Sequence, residues 1–383
     1  MQLRNFDVDA FLRDTWQKKP LLIRSAFEGW ANPLEPDELA GLACEPGVES
    51  RLVMRSPDSW KVEHGPFSET RFSEIGSEPW ALLVQAVDHH APEVAALLTP
   101  FRFIPNWRVD DIMVSYAVDG GGVGAHFDNY DVFLVQGLGK RRWQIGARCD
   151  HAVELLPHDD LRLLADFEPT DEWILGPGDI LYVPPGVAHN GIAVGDDCMT
   201  YSVGFRAPSR SELIAHWADH LISELDDDDR YADPELKPQD NPGEISADAV
   251  ARLQGMIAER MLDRDEFARW LGRYTTAPKN EEKDWRPEQP VGMEDLRSRI
   301  ASGSPLLRNP ASRFSFIRDE KGRVILFVDG CSHDCSGPAG NFAQQLCAHD
   351  HMVIARNLLD SEEGLALVSD LLGQGSVAFQ PGD

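Results

Sequence analysis

The chain has 383 residues, of which 42% are hydrophobic and 26% charged, a length for two or three domains with an ordinary globular balance. No run of 18 apolar residues occurs, which excludes a membrane-spanning helix of the usual kind. Lys+Arg number 36 against 64 Asp+Glu, a net charge of −28, and a field of that sign repels phosphate backbones and anionic lipid while attracting basic partners. Direct DNA binding is therefore not expected, and a basic protein is an admissible substrate, although acidity also serves solubility alone. The first 24 residues show no basic stretch ahead of an apolar run, so no secretory signal is expected. Six scattered cysteines do not make a disulfide scaffold, and a reducing cytoplasm is the simplest expectation.

Three regions separate along the chain. Residues 1–207 are rich in short β-type runs punctuated by Gly and Pro, at 112–118, 132–136, 140–145, 179–183 and 199–205, a pattern that predicts a sandwich or barrel. Ahead of them, 78–98 reads as helical, broken near Pro92. Residues 208–278 read as helices. Ser209 with Glu212 fits a capping box, and Leu213, Ile214, Trp217, Leu221 and Leu225 then recur at helical spacing until the acidic run 226–229. A second helix starts near Ser246 with Val250, Leu253, Ile257 and Met261, and a third short piece carries Phe267, Trp270 and Leu271. Such short helices must pack on the first domain or on another subunit. A polar linker over 275–290 leads into residues 279–383, where helix, β and helix alternate as in a small α+β domain of winged-helix type. There CSHDC, residues 331–335, reads as a hairpin tip or as half a zinc site, with Cys347, His349 and His351 the near candidates for the rest.

The chemistry concentrates in GGGVGAHFDNYDVFLVQGLGKRRWQIG (120–146) and GPGDILYVPPGVAHNG (176–191). His126 and Asp128, two apart, share one face of an extended chain. His189 follows a strand that ends in Val-Pro-Pro-Gly. Two histidines and one carboxylate form the facial triad of non-heme iron(II) oxygenases, with the opposite positions free for a cosubstrate and oxygen. Arg141 shares a strand face with Trp143 and Ile145, which turns a guanidinium into the barrel. A buried guanidinium needs an anion, either the distal carboxylate of a metal-chelating diacid or an Asp or Glu of the protein. Ser115 and Ser202 lie on strands beside it. Tyr130 and Asp131 follow the pair, and Asp119 precedes it. Placed at a pocket mouth, they would suit a cationic side chain such as arginine.

These residues resemble the bacterial ribosomal oxygenases, within the JmjC/cupin-like iron(II)- and 2-oxoglutarate-dependent oxygenases. The resemblance rests on HFDNYDVFLVQGLGKRRW (126–143), GPGDILYVPPGVAH (176–189), YSVGFRAP (201–208) and the opening WQKKPLLIR (16–24). It implies a mostly β catalytic domain, a double-stranded β-helix or jelly roll, over 1–207. An α-helical dimerisation region over 208–278 and a winged-helix-like domain over 279–383 would follow. It implies that His126, Asp128 and His189 bind iron(II), that Arg141 and Ser115 hold 2-oxoglutarate, and that O2 is the oxidant. It further implies a homodimer that hydroxylates an arginine of a large-subunit ribosomal protein. The same triad would also serve a histidine or asparagine hydroxylase or an N-methyl demethylase, and a non-enzymatic ribosome-assembly adaptor is the remaining alternative.

Overall fold

The computed structural model describes residues 3–380 apart from 5, 57, 58, 227, 281 and 282, so part of the acidic run and part of the linker lie outside the described residues. The N-terminal segment holds α1 (Val8–Asp14), β1 (Leu21–Ile23), α2 (Pro36–Cys44), β2 (Ser50–Ser56), β3 (Ser59–His64), α3 (Glu69–Ser73), β4 (Trp80–Val84) and α4 (Pro92–Ala95). The barrel continues with β5 (Val109–Ala117), β6 (Asp131–Leu138), β7 (Arg141–Arg148), β8 (Asp171–Leu175), β9 (Ile180–Val183), β10 (Val187–Ala193) and β11 (Cys198–Phe205).

These strands form an eight-stranded sheet, β1-β9-β6-β11-β5-β4-β2-β3, and a three-stranded sheet, β10-β7-β8. Period-two alternation explains how they close. On β6, Val132 and Leu134 point inward and meet Trp143, Ile145 and Leu175 of the small sheet. Phe133 and Val135 point outward and pack with Phe11, Leu97, Tyr182 and Tyr201 under the N-terminal helices. Both faces of the large sheet are covered, so β6 is apolar nearly throughout. All five β-type runs expected from the sequence are strands. The start of the 78–98 segment is not helical: Trp80–Val84 forms β4 between β2 and β5. A five-residue apolar run cannot be told from helix by its periodicity, and pairing to two neighbours decides it.

Ser209 does close a capping box with Glu212 at the start of α5 (Arg210–Glu224). After α6 (Ala247–Met261), α7 (Arg264–Thr276) runs longer than expected. Trp217, Leu221 and Trp270 form the small core among these helices. The last region comprises α8 (Met293–Ser302), β12 (Pro305–Arg308), β13 (Phe314–Arg318), β14 (Val324–Val328), β15 (Cys331–Cys335), α9 (Gly337–Ala348), β16 (His351–Val353), α10 (Glu362–Gln374) and β17 (Val377–Phe379). They surround Leu296, Leu326, Phe342 and Leu371. The CSHDC segment is the edge strand β15, and no metal-type cluster forms there among the described residues.

Charged contacts join the regions. Lys279 Nζ lies 2.6 Å from Asp111, Arg313 Nη2 donates to the Asp110 carbonyl at 2.9 Å, and Arg102 pairs with Asp350. Beneath this junction, burial pushes His89 down to about 4 and the neighbouring Asp88 up to about 7. An unfolded histidine takes up a proton below about pH 6.5, whereas the buried one waits until about 4. Its contribution to stability is therefore present at neutral pH and lost as pH falls through that window. Relative to wild type, His89→Gln should be more stable at pH 4.5 than at pH 7, by roughly 2–3 kcal/mol. Urea midpoints at the two pH values test this; a difference independent of pH would refute it.

Candidate active site

The glycine-rich segment before β6 lies along β10. A Cβ on Gly122 would come 2.2 Å from the Gly191 carbonyl, so this close approach requires glycine. The segment ends in a two-way bridge: His126 N donates to His189 O at 3.0 Å, and His189 N to His126 O at 2.8 Å. Gly186 N then donates to the Asp128 carbonyl at 2.7 Å. His189 thus lies within β10 rather than in the turn before it.

These bonds bring three side chains to one point. The Asp128 carboxylate is 3.9 Å from His126 Nε2 and 3.6 Å from His189 Nε2, and the donor atoms all lie within 4.8 Å of one another. His126 Nδ1 sits 2.9 Å from Gly124 O, and His189 Nδ1 sits 3.0 Å from Val187 O. Donation from each Nδ1–H to its carbonyl leaves both Nε2 lone pairs turned to the shared point. His189 is 2% exposed, and burial, reinforced by His126, pushes it down to about 4. It is neutral at physiological pH, as a metal ligand must be. Two imidazoles and one carboxylate on one side of that point suit a single divalent ion with open positions opposite.

Arg141 lies deep between the sheets and is 5% exposed. Its Nε contacts Cys198 Sγ at 3.3 Å, its guanidinium lies 5.8 Å from the Trp143 ring, and its buried Nη2 has no partner. It forms no ion pair with a carboxylate among the described residues. Of the two anions open to it, the protein does not supply its own. On the β7–β10 ladder Ile145 faces His189 and Arg141 faces Ala193. Four strand steps, roughly 13 Å, separate the arginine from the triad, a span that a long side chain and a five-carbon diacid fill together. Ser115, 4% exposed, stands opposite Thr200 on the same inner wall. Cys198 and the Thr200–Gln136 pair, 3.0 Å apart, complete this polar wall. The sequence reading missed them, although Cys198, Thr200 and Ser202 alternate on one face of β11.

Tyr130 stands at the mouth, 39% exposed, and burial with the nearby charge of Asp128, and more weakly of Asp111 and Asp110, holds its hydroxyl well above the ordinary phenol range. Beside it a cavity of about 470 Å³ is walled by Trp107, Arg206, Glu212 and Tyr274. Two expected mouth residues belong elsewhere. Asp131 points to the outer face of β6, fully buried, and accepts from Arg108 Nη2 at 3.0 Å, Tyr182 Oη at 2.6 Å and Gln17 Nε2 at 2.9 Å. The strand alternation that turns Val132 inward turns Asp131 outward. Asp119 is exposed and accepts from Gly195 N at 2.7 Å. It sits about six strand steps, roughly 20 Å, from the His126–His189 bridge.

The fold and the triad define a JmjC-type oxygenase. Residues 96–213 match the JmjC domain, and residues 257–378 match the ROXA-like winged helix. The chain is 40% identical over 310 residues to the ribosomal protein uL16 3-hydroxylase of Escherichia coli, covering 81% of this chain and 82% of that one. It superposes on the crystal structure of E. coli YcfD with a TM-score of 0.90 at 34% identity, over 99% of this chain and 100% of that one. A second YcfD structure, in complex with cobalt and 2-oxoglutarate, gives 0.88 at 34% identity over 99% of each chain. The chain belongs to the ribosomal oxygenase family of JmjC enzymes.

The Asp131 network is structural, and breaking it has a defined cost. Arg108→Met leaves a buried carboxylate without its cation, a loss of about 3–5 kcal/mol. Adding Asp131→Asn should restore part of it. Urea denaturation of the two variants checks both, and a loss below about 1 kcal/mol for Arg108→Met would contradict the assignment.

Proposed function

We propose that this enzyme uses iron(II), 2-oxoglutarate and O2 to hydroxylate an arginine side chain of a large-subunit ribosomal protein. The observation that carries the reading is the buried, carboxylate-free guanidinium of Arg141 behind a His-Asp-His cluster. His126, Asp128 and His189 hold the metal. Arg141 clamps the far carboxylate of 2-oxoglutarate, with Ser115 on the same wall. Tyr130, flanked by the charges of Asp110 and Asp111, receives the cationic side chain. Iron(II), when bound with 2-oxoglutarate and O2, supplies the oxidising chemistry, in which the keto acid loses CO2 to become succinate and a C–H carbon gains an oxygen atom. The chain's own part is to bind, orient and keep water out. The substrate class rests on the E. coli relative, named as a hydroxylase of uL16, and on the −28 charge, which favours a basic partner.

Residues 1–207 serve as the catalytic domain, 208–278 as the dimerisation region and 279–383 as a protein-interaction domain rather than a DNA reader. Homodimerisation is supported by the apolar residues left open on the helices: Ile222 is 68%, Ile257 66% and Leu262 79% exposed, and α6 buries none of its residues. Among the described residues no helix is long and apolar enough to cross a membrane, and a cytoplasmic enzyme meeting ribosomal proteins fits this reading.

Purified enzyme incubated with iron(II), 2-oxoglutarate and large-subunit ribosomal proteins should add one oxygen to an arginine, mapped by mass spectrometry. Loss of a methyl group, or oxygen on another residue type, would assign the alternative chemistries; no succinate formation would reject an oxygenase. His126→Ala and Asp128→Ala should each lower 2-oxoglutarate turnover by about 100-fold or more. Arg141→Met should raise the KM for 2-oxoglutarate by about 30-fold, the worth of a charge-assisted pair. Replacing Ile222 and Ile257 together by Asp should convert the dimer to monomer in light scattering.

A further inference from the structure

A second cavity, of about 810 Å³, opens where the catalytic domain meets the winged helix. Phe101, Ile104, Phe205 and Phe314 give it an apolar floor. Two arginines, Arg308 at the end of β12 and Arg313 just before β13, line its wall with donors unused. Arg308, its side chain 13% exposed, lies 4.2 Å from the Phe314 ring centre. Its hydrogen bond to the Leu346 carbonyl is long, 3.5 Å; Asp350 is 3.8 Å away; its Nε has no partner. Arg313, 12% exposed, uses Nη2 on Asp110, while its Nη1 has no partner.

A guanidinium carries five N–H donors, and burying them without acceptors is costly. The nearby carboxylates are already shared: Asp329, which also faces Arg308, accepts from Arg313 N at 2.9 Å and from Ser376 Oγ at 2.8 Å. Asp350 pairs with Arg102, and Asp110 lies 3.1 Å from Arg206 and 3.5 Å from Lys279. Two desolvated arginines with unused donors beside an aromatic floor suit an anion with an apolar body. We propose that this interdomain cavity binds a small organic monocarboxylate, its carboxylate held by Arg308 and Arg313 and its hydrocarbon against Phe101, Phe205 and Phe314. A diacid such as 2-oxoglutarate fits it poorly, since the second carboxylate would meet the apolar floor. The site is separate from the triad and does not depend on the reaction assigned there.

Bromonaphthoate and its uncharged carboxamide are suitable probes. The full-length enzyme is titrated calorimetrically with manganese(II) and saturating 2-oxoglutarate present, so that the triad and Arg141 are engaged. The carboxylate should bind once per chain and at least ten-fold tighter than the amide. Arg308→Met should abolish that preference while leaving 2-oxoglutarate turnover unchanged, which also shows that the variant folds. In crystals soaked with the carboxylate, the bromine anomalous peak should fall between Phe101 and Phe314. This second measurement needs no variant. Equal binding of acid and amide, a preference retained in Arg308→Met, or bromine located elsewhere with the cavity empty would each overturn the proposal.

Discussion

The two backbone hydrogen bonds between His126 and His189, 3.0 and 2.8 Å long, are the constraint on which the catalytic architecture depends. They fasten a glycine-rich loop to β10, so residues 63 positions apart present their rings 4.4 Å apart, centre to centre. The bond from Gly186 N to the Asp128 carbonyl adds the carboxylate. Main-chain geometry, rather than attraction among the side chains, positions all three. The attraction alone would be weak, because buried His189 stays neutral and a neutral ring has little pull on Asp128. A site built in this way is arranged before any ion arrives, and the ion's binding energy is not spent on folding the loop.

Arg141 and Arg108 illustrate two ways to bury a guanidinium. Arg108 meets Asp131 on the outer face of β6, where two further donors complete the carboxylate. That pair is self-sufficient and serves stability. Arg141, on the inner face of β7, has a thiol and a ring for company and a nitrogen with no partner. The barrel tolerates this cost because the surrounding strands over-determine its position. The difference between the two arginines lies in which face of a strand each occupies.

That distinction was half legible in the sequence. Alternation alone put Arg141 with Trp143 and Ile145 on the inner face, and the ladder agrees. The same rule, applied to β6, would have turned Asp131 away from the mouth, since Val132 and Leu134 claim the inner face. Adjacency to His126 and Asp128 in the chain was the wrong guide, because β6 begins at Asp131 and resets the direction of every following side chain. Asp119 misled for the complementary reason: seven residues of glycine-rich chain carry it along β10 to Gly195. β4 escaped notice because five apolar residues have no readable period, and its neighbours β2 and β5 are distant in sequence. The helix caps at Ser209 and Ser246 were legible because capping is a local interaction over three residues.

The mouth beside Tyr130 is where the barrel meets the helical region and the start of the linker. Trp107 and Arg206 come from the barrel, Glu212 and Tyr274 from the helices, and Pro278 from the start of the linker. Asp110 and Asp111, whose charges act on Tyr130 after that of Asp128, are held by Arg206, Lys279 and Arg313. These two acids are therefore already matched by two arginines and a lysine. The large negative charge of the chain concentrates basic proteins at long range, but it does not choose among them. Two of the three cations that hold these acids come from outside the barrel. Lys279 and Arg313 make the electrostatics beside Tyr130 a property of domain packing.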